Sequence, residues 1–267
     1  MTDKVPTLSI VFMAFSCLAG FAIPIVLFIY FRKKKKADIL PFFVGCAVMF
    51  IFAFLLEQFA HQVILGSSIG SEIMKNVWLY AIYGGLMAGI FEETGRLFAF
   101  KTVLRKYRNK DINALMYGAG HGGFEAAFLL GLTMINNIVY AVMINNGSIS
   151  SITSSLSGDP LIQMNTIIEA LITTSPYVFL AGIFERIFAV ILQMALSVIV
   201  WFSAKNKKQG YLYPAAVMIH AFVDGIAVIM STYNVQVFII EAAICLMAVL
   251  TALFAGKVWD RYPDLSE

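Results

Sequence analysis

Charged residues are scarce in this sequence. Asp, Glu, Lys and Arg make up 13% of its 267 residues, while 60% are hydrophobic. Soluble domains carry about 25% charge and roughly 45–50% apolar residues, so an ordinary water-soluble fold is excluded. No polar segment is long enough to form a separate soluble domain. A single integral membrane domain over residues 1–267 is therefore expected, with the lipid bilayer as its main surroundings and no nucleic acid partner. Cysteine is nearly absent: Cys17, Cys46 and Cys245 each lie in an apolar run. None has the spacing of a metal knuckle, so all three read as small core residues. Two further absences matter. There is no HExxH zinc motif, and no internal repeat of the kind that builds inverted-repeat transporters.

What is present is a series of long apolar runs. About 20 apolar residues cross a bilayer as a helix. Seven segments qualify: Leu8–Phe31, Ile39–Leu65, Asn76–Phe100, Ile112–Ile144, Pro176–Phe202, Tyr211–Thr232 and Val235–Ala255. The fourth is long enough to tilt, kink or project. Leu161–Ile172 is too short to span. It reads as an interfacial or re-entrant helix, an eighth element, or as the first half of a longer fifth span. Ser148–Gly158, rich in Ser, Gly and Thr, reads as a loop. The fold class expected is all-α, a polytopic membrane helical bundle of seven or eight transmembrane helices.

Basic residues orient it. The first apolar run is preceded only by Lys4 and followed by RKKKK at 32–36. That order is the reverse of a cleaved signal peptide and predicts an anchor with its N-terminus outside. The connections 32–38, 101–111 and 203–210 and the C-terminal tail then hold 15 of the 19 Lys and Arg residues on the cytoplasmic side, with the C-terminus also inside. An odd span count satisfies the positive-inside rule for every loop. The net charge of +3 is explained by this placement rather than by an acidic partner.

Against so apolar a background, ionisable residues inside spans are costly and become functional candidates. At a rise of about 1.5 Å per residue, Glu92 lies roughly 13 Å from the inner boundary, and His121 and His220 each about 15 Å. Three helices thus carry polar groups at one depth. Glu57 and His61 count out to the outer face, where a charge costs little. Each of the three helices also carries an i, i+4 pair: Glu92 with Arg96, His121 with Glu125, His220 with Asp224. Residues four apart share a helix face, so each helix turns one polar stripe toward a shared cavity. Gly85 and Gly89, like Gly118 and Gly122, form small-xxx-small steps that let helices approach in lipid. Glu185 and Arg186 are adjacent on the fifth span and read as structural or channel-lining.

Taken singly, each polar group has an ordinary structural explanation as an ion pair or an interhelical hydrogen bond. Their agreement in depth argues for a site. Two carboxylates in a dry cavity cannot both ionise cheaply, and Arg96 balances one of them. A carboxylate beside two histidines is the inventory of a water-activating hydrolytic site. With His121, His220 and Glu92 it also offers three ligands that zinc accepts.

The segments EETGR (92–96), GHGGFEA (120–126), FERIFA (184–189) and HAFVD (220–224) together resemble the YhfC family of bacterial intramembrane endopeptidases. That group is similar to the type II CAAX prenyl endopeptidases, the PrsW-type proteases and the scaffold subunit of gamma-secretase. The resemblance covers nearly the whole chain. It implies a multi-pass protein of the bacterial plasma membrane that cleaves a membrane protein or peptide in the cytoplasmic half of the bilayer. It assigns Glu92 as the base, His121 as its partner on water, and His220 with Asp224 as oxyanion stabilisers. Glu93, Arg96, Glu125 and Glu185 have supporting places. An Asn is common where Asp224 stands, three residues often separate the glutamate pair from Arg where there are two here, and Phe is common where Tyr117 stands. These departures point away from prenylated substrates. A metal-free glutamate mechanism with no cofactor is the first expectation and a zinc-dependent one the alternative. A non-catalytic scaffold and a small-molecule transporter are the competing classes.

Overall fold

The computed structural model describes residues 4–262. The first three and last five residues of the predicted domain lie outside that range. Among the described residues every regular element is helical. Eight longer helices set the architecture: α1 (Thr7–Lys33), α2 (Leu40–Leu65), α3 (Val77–Lys101), α4 (Ile112–Asn146), α5 (Asp159–Thr173), α6 (Pro176–Lys205), α7 (Leu212–Thr232) and α8 (Val237–Arg261). Six of these segments are long and apolar enough to cross a membrane: α1, α2, α4, α6, α7 with the short turn before it, and α8. α3, the remaining predicted span, has 25 residues. Its length suffices, but Glu92, Glu93 and Arg96 lower its hydropathy below that of the others.

The expected eighth element is a separate helix. α5 ends at Thr173 and α6 begins at Pro176 in its first turn. Proline lacks the N–H that the first turn leaves unpaired anyway, so it starts α6 cleanly and prevents the two from fusing. The long fourth span is one helix of 35 residues. A π-helical stretch, Ala127–Leu132, lies in its middle. A second π stretch, Met49–Glu57, interrupts α2 and ends on Glu57, a buried carboxylate. Such widened turns are often found at functional sites.

A polar layer is buried within the bundle beside an apolar core, and the outer surface is apolar. Leu18, Phe59, Phe184 and Leu246 are each at least 60% exposed, as lipid-facing residues are, whereas Arg96, His121 and His220 are among the largest side chains fully buried. α3 packs chiefly on α7, α6 on α8 and α4, and α2 on α4. The glycine steps make two of these approaches. A Cβ at Gly85 would lie 2.2 Å from the carbonyl oxygen of Ala221 on α7, and one at Gly89 would lie 2.6 Å from that of Val217. On α4, Gly118 and Gly122 lie against Met194, Ser197 and Gln193 of α6. Gly85→Ala must therefore push α3 and α7 apart, at a cost of about 1–3 kcal/mol. We expect it to lower the thermal midpoint in detergent by several degrees. Gly84→Ala, whose added methyl meets nothing within 4 Å, should leave the midpoint unchanged or slightly raised. Equal midpoints for the two variants would contradict this packing.

The aromatic core below the polar layer joins Phe100, Tyr117 and Trp201, with ring centroids 4.6 and 5.0 Å apart. Trp201 Nε1 donates to Asp111 Oδ1 at 2.7 Å, and Lys205 pairs with the same carboxylate at 2.8 Å. The basic connection after α1 is tied down as well. Asn113 Nδ2 and Lys110 Nζ each donate to Asp38 at 2.9 Å. Partial burial works against the Asp38 carboxylate, but the bonds from Asn113 and Lys110 outweigh it and hold the group below its usual range. The three cysteines are free and half-buried, less enclosed than core residues.

Candidate functional site

α3, α4, α6 and α7 bring the predicted polar residues together, and their pairing runs between helices. His121 Nε2 bonds Glu92 Oε2 at 2.9 Å, linking α4 to α3. His220 Nδ1 bonds Glu93 Oε1 at 2.8 Å, linking α7 to α3. Arg96 Nη1 donates to both oxygens of Glu93 at 2.5 Å, not to Glu92. Each glutamate of the pair therefore has its own histidine, and Arg96 neutralises the second glutamate. The three i, i+4 pairs turn toward the interior, but of those three only His220 and Asp224 approach one another along their own helix, at 3.5 Å. Glu92, Glu93, Arg96, His121 and His220 are all buried.

Glu125, expected beside His121, instead pairs with Arg186 at 2.7 Å. Arg186 also holds Glu185, its sequence neighbour. These three residues and Asp224 line a cavity of about 370 Å³ together with Glu92, Gln193 and His220. Its remaining wall is apolar, from residues such as Leu192, Val223, Val228 and Ile244. The side chain of Asp224 is 38% exposed into this space, the most accessible carboxylate next to His220.

Two residues were missed or misplaced by sequence reasoning. Gln193 on α6 is 4% exposed. Its Oε1 accepts from Arg96 Nη2 at 2.5 Å, and its Nε2 donates to Glu92 Oε2 at 3.0 Å and Glu125 Oε2 at 3.1 Å. It is uncharged and so carries no ionic signal in the sequence. The available signal was its position seven residues after Arg186, on the same face of α6. Glu57, assigned to the outer face, is buried. It bonds His61 at 3.2 Å, His61 bonds Tyr83 of α3 at 2.8 Å, and Glu57 lies within electrostatic range of Glu92, His220 and Asp224. Tyr117, the departure from Phe, is fully buried and stacks on the His121 ring with centroids 5.8 Å apart.

The residues suit a cation by type. His220 has Glu93 behind Nδ1, the arrangement that orients a metal-binding imidazole, and its Nε2 faces Asp224 Oδ2 at 3.5 Å and Glu92 Oε2 at 4.0 Å. Between two carboxylates that nitrogen must carry either a proton or a bond to a cation. Charge balance points the same way. Glu57, Glu92, Glu93, Glu125, Glu185, Asp224 and Glu241 face the interior or its rim against two guanidiniums, Arg96 and Arg186. Imidazole and carboxylate are donors zinc accepts. Among the described residues, no three His, Cys, Asp or Glu side chains are grouped so as to hold a metal ion.

Comparison with known proteins agrees with the motifs. The YhfC intramembrane metalloprotease family matches residues 19–245. The uncharacterized membrane protein YhfC of Bacillus subtilis (strain 168) is 34% identical over 251 residues, 93% of this chain and 96% of that protein. No solved structure matches.

Proposed function

The chain belongs to the YhfC intramembrane metalloprotease family, and from that premise we propose that it hydrolyses peptide bonds of a membrane-embedded or membrane-adjacent protein with water activated at Glu92. The observation that carries this reading is that Glu92 of α3 and His220 of α7 line one cavity while His121 of α4 bonds the Glu92 carboxylate. Glu92 Oε1 takes a proton from water as the water oxygen attacks the scissile carbonyl carbon. His220 Nε2–H, aimed by Glu93 and bordered by Asp224, donates to the oxyanion. The proton on Glu92 then passes to the leaving amine nitrogen as the C–N bond breaks. His121 holds Glu92 and helps place the water. Glu93 and Arg96 fix His220, while Glu125, Glu185 and Arg186 shape the cavity.

The second reading keeps the same residues and adds zinc, held by His121, His220 and Glu92. It is favoured by the carboxylate excess around the cavity and by the family's description as metalloproteases. Bound there, zinc would supply Lewis-acid polarisation of the carbonyl. The proposal also includes one membrane domain of seven spans with the N-terminus outside, α3 being the seventh. The site then lies in the cytoplasmic half of the plasma membrane, which the basic connections support. The order of the four motifs further supports kinship with the type II CAAX endopeptidases, PrsW-type proteases and the gamma-secretase scaffold.

Purified protein in detergent, offered a library of membrane-derived peptides, is expected to cleave at least one. Cleavage unaffected by chelators, in protein free of metal by elemental analysis, supports the glutamate reading. Loss on chelation, with restoration by stoichiometric zinc, replaces it with the zinc reading. Well-folded protein that cleaves no peptide under either condition, with or without added zinc, overturns both in favour of a scaffold or transporter.

A further inference from the structure

The two oxygens of Glu92 are treated differently by their surroundings. Oε2 receives His121 Nε2 at 2.9 Å and Gln193 Nε2 at 3.0 Å. Among the described residues no hydrogen bond reaches Oε1, and it is not among the buried atoms left without partners, so it opens on the cavity that Glu92 lines. Gln193 has no freedom in this arrangement. Arginine is only a donor, so the amide oxygen must face Arg96 and the amide NH₂ must face the carboxylates. One NH₂ then serves Glu92 Oε2 and Glu125 Oε2 together. The backbone enforces the same pose. A Cβ at Gly122 would come within 2.9 Å of Gln193 Cβ, so only a glycine there lets α6 bring this side chain so close to α4.

We infer that Gln193 is a positioning residue, one that uses the fixed Arg96 guanidinium to lock Glu92 Oε2 and so leaves Oε1 as the oxygen that acts on water. This rests on the hydrolytic reading of the site. In that role Gln193 touches neither water nor substrate. It sets the plane of the carboxylate that does, and couples it through Glu125 to the Arg186 side of the cavity. Positional errors of about 1 Å at a reacting group cost on the order of 10²-fold in rate.

Two substitutions separate positioning from simple support. Gln193→Met keeps the volume and removes every hydrogen bond. Gln193→Glu keeps a partner for Arg96, even a stronger one, but turns an acceptor toward Glu92. With a peptide that the unmodified protein cleaves, both variants are expected to lower kcat by about 10–100-fold with KM changed less than about twofold. Gln193→Glu buries a further carboxyl beside Glu92 and Glu125 and should lower the thermal midpoint, so its rate is read on protein that remains folded. A residue needed only to satisfy Arg96 would tolerate Gln193→Glu without loss, so wild-type kcat in that variant overturns the inference. So does a change confined to KM. Infrared difference spectra, each protein minus its Glu92→Gln counterpart, isolate the Glu92 carboxylate bands and need no substrate. These bands should shift in Gln193→Met. Shifted bands in a protein that cleaves no peptide would reject the hydrolytic reading while keeping the bond geometry. Unshifted bands would reject the role of Gln193 itself.

Discussion

Glu92→Gln is expected to reduce peptide cleavage by roughly 10²–10⁴-fold, the range that a positioned general base contributes, while leaving the protein folded. The substitution is nearly isosteric, and the environment accepts it. The amide oxygen can take the place of Oε2 and accept from His121 and Gln193, at the 2.9 and 3.0 Å seen for the carboxylate. The amide nitrogen then occupies the position of Oε1, facing the cavity, where it cannot take a proton from water. The charge facing His220 Nε2 at 4.0 Å is lost, but Asp224 stays beside that nitrogen at 3.5 Å, and Arg96 keeps its bonds to Glu93 and Gln193. The thermal midpoint in detergent should therefore stay within a few degrees of the unmodified protein. Glu92→Asp makes the complementary case. It keeps the charge but withdraws it by one methylene, and a misplacement of about 1 Å costs on the order of 10²-fold. Rates are read on a peptide that the unmodified protein cleaves, with the midpoint measured on the same preparations. Cleavage by Glu92→Gln at a rate near that of the unmodified protein would remove Glu92 from the chemistry under the glutamate and zinc readings alike.

The sequence exposed the parts of this site that differ most from lipid. Ionised groups stand out in apolar runs, so Glu92, Glu93, Arg96, His121 and His220 were visible, and depth counting from the basic loops put three helices in register. Helical spacing also told which faces turn inward. It could not tell which inward-facing groups bond, because that depends on the rotation and separation of neighbouring helices. Spacing puts Arg96 on the face of Glu92 and leaves open which glutamate it balances; the structure gives it Glu93, three residues away. His121 was paired with Glu125 and binds Glu92 instead. Glu57 was placed by counting residues from the inner boundary, but distance along the membrane normal is not burial. The π-helical stretch that ends at Glu57, in which each hydrogen bond spans five residues, also breaks the constant rise on which the count relied. Gln193 gives no ionic signal at all, although its amide hydrogen-bonds three residues of the site. The spans themselves were legible because about 20 apolar residues have few other uses. α3 is a helix of 25 residues over the expected segment, but its charges lower its hydropathy and keep it apart from the six apolar spans.

Arg96→Met is expected to be the most destabilising single change at the site. The guanidinium has no exposure, and it holds both oxygens of Glu93 and the amide oxygen of Gln193. Methionine fills part of the space and satisfies neither partner. Glu93 would keep only His220 Nδ1, at 2.8 Å, against a full buried charge. Breaking a buried pair by removing one member costs about 3–5 kcal/mol, largely from the charge left behind. The expected readout is a fall in the thermal midpoint of many degrees, or loss of monodisperse protein on size-exclusion chromatography. The cause can be isolated. If the stranded Glu93 carboxylate dominates, Arg96→Met combined with Glu93→Gln should recover more than half of the lost stability, because the second change removes the uncompensated charge. The two sites are in direct contact, so non-additivity of this size is what a double-mutant cycle should register. Arg96→Lys keeps the charge but offers a single ammonium in place of the planar fork, and should fall between the two. A double variant no more stable than Arg96→Met alone would mean that the guanidinium acts by filling volume, and that the Glu93–Arg96 pair is not what allows Glu92 to stand beside it in a buried site.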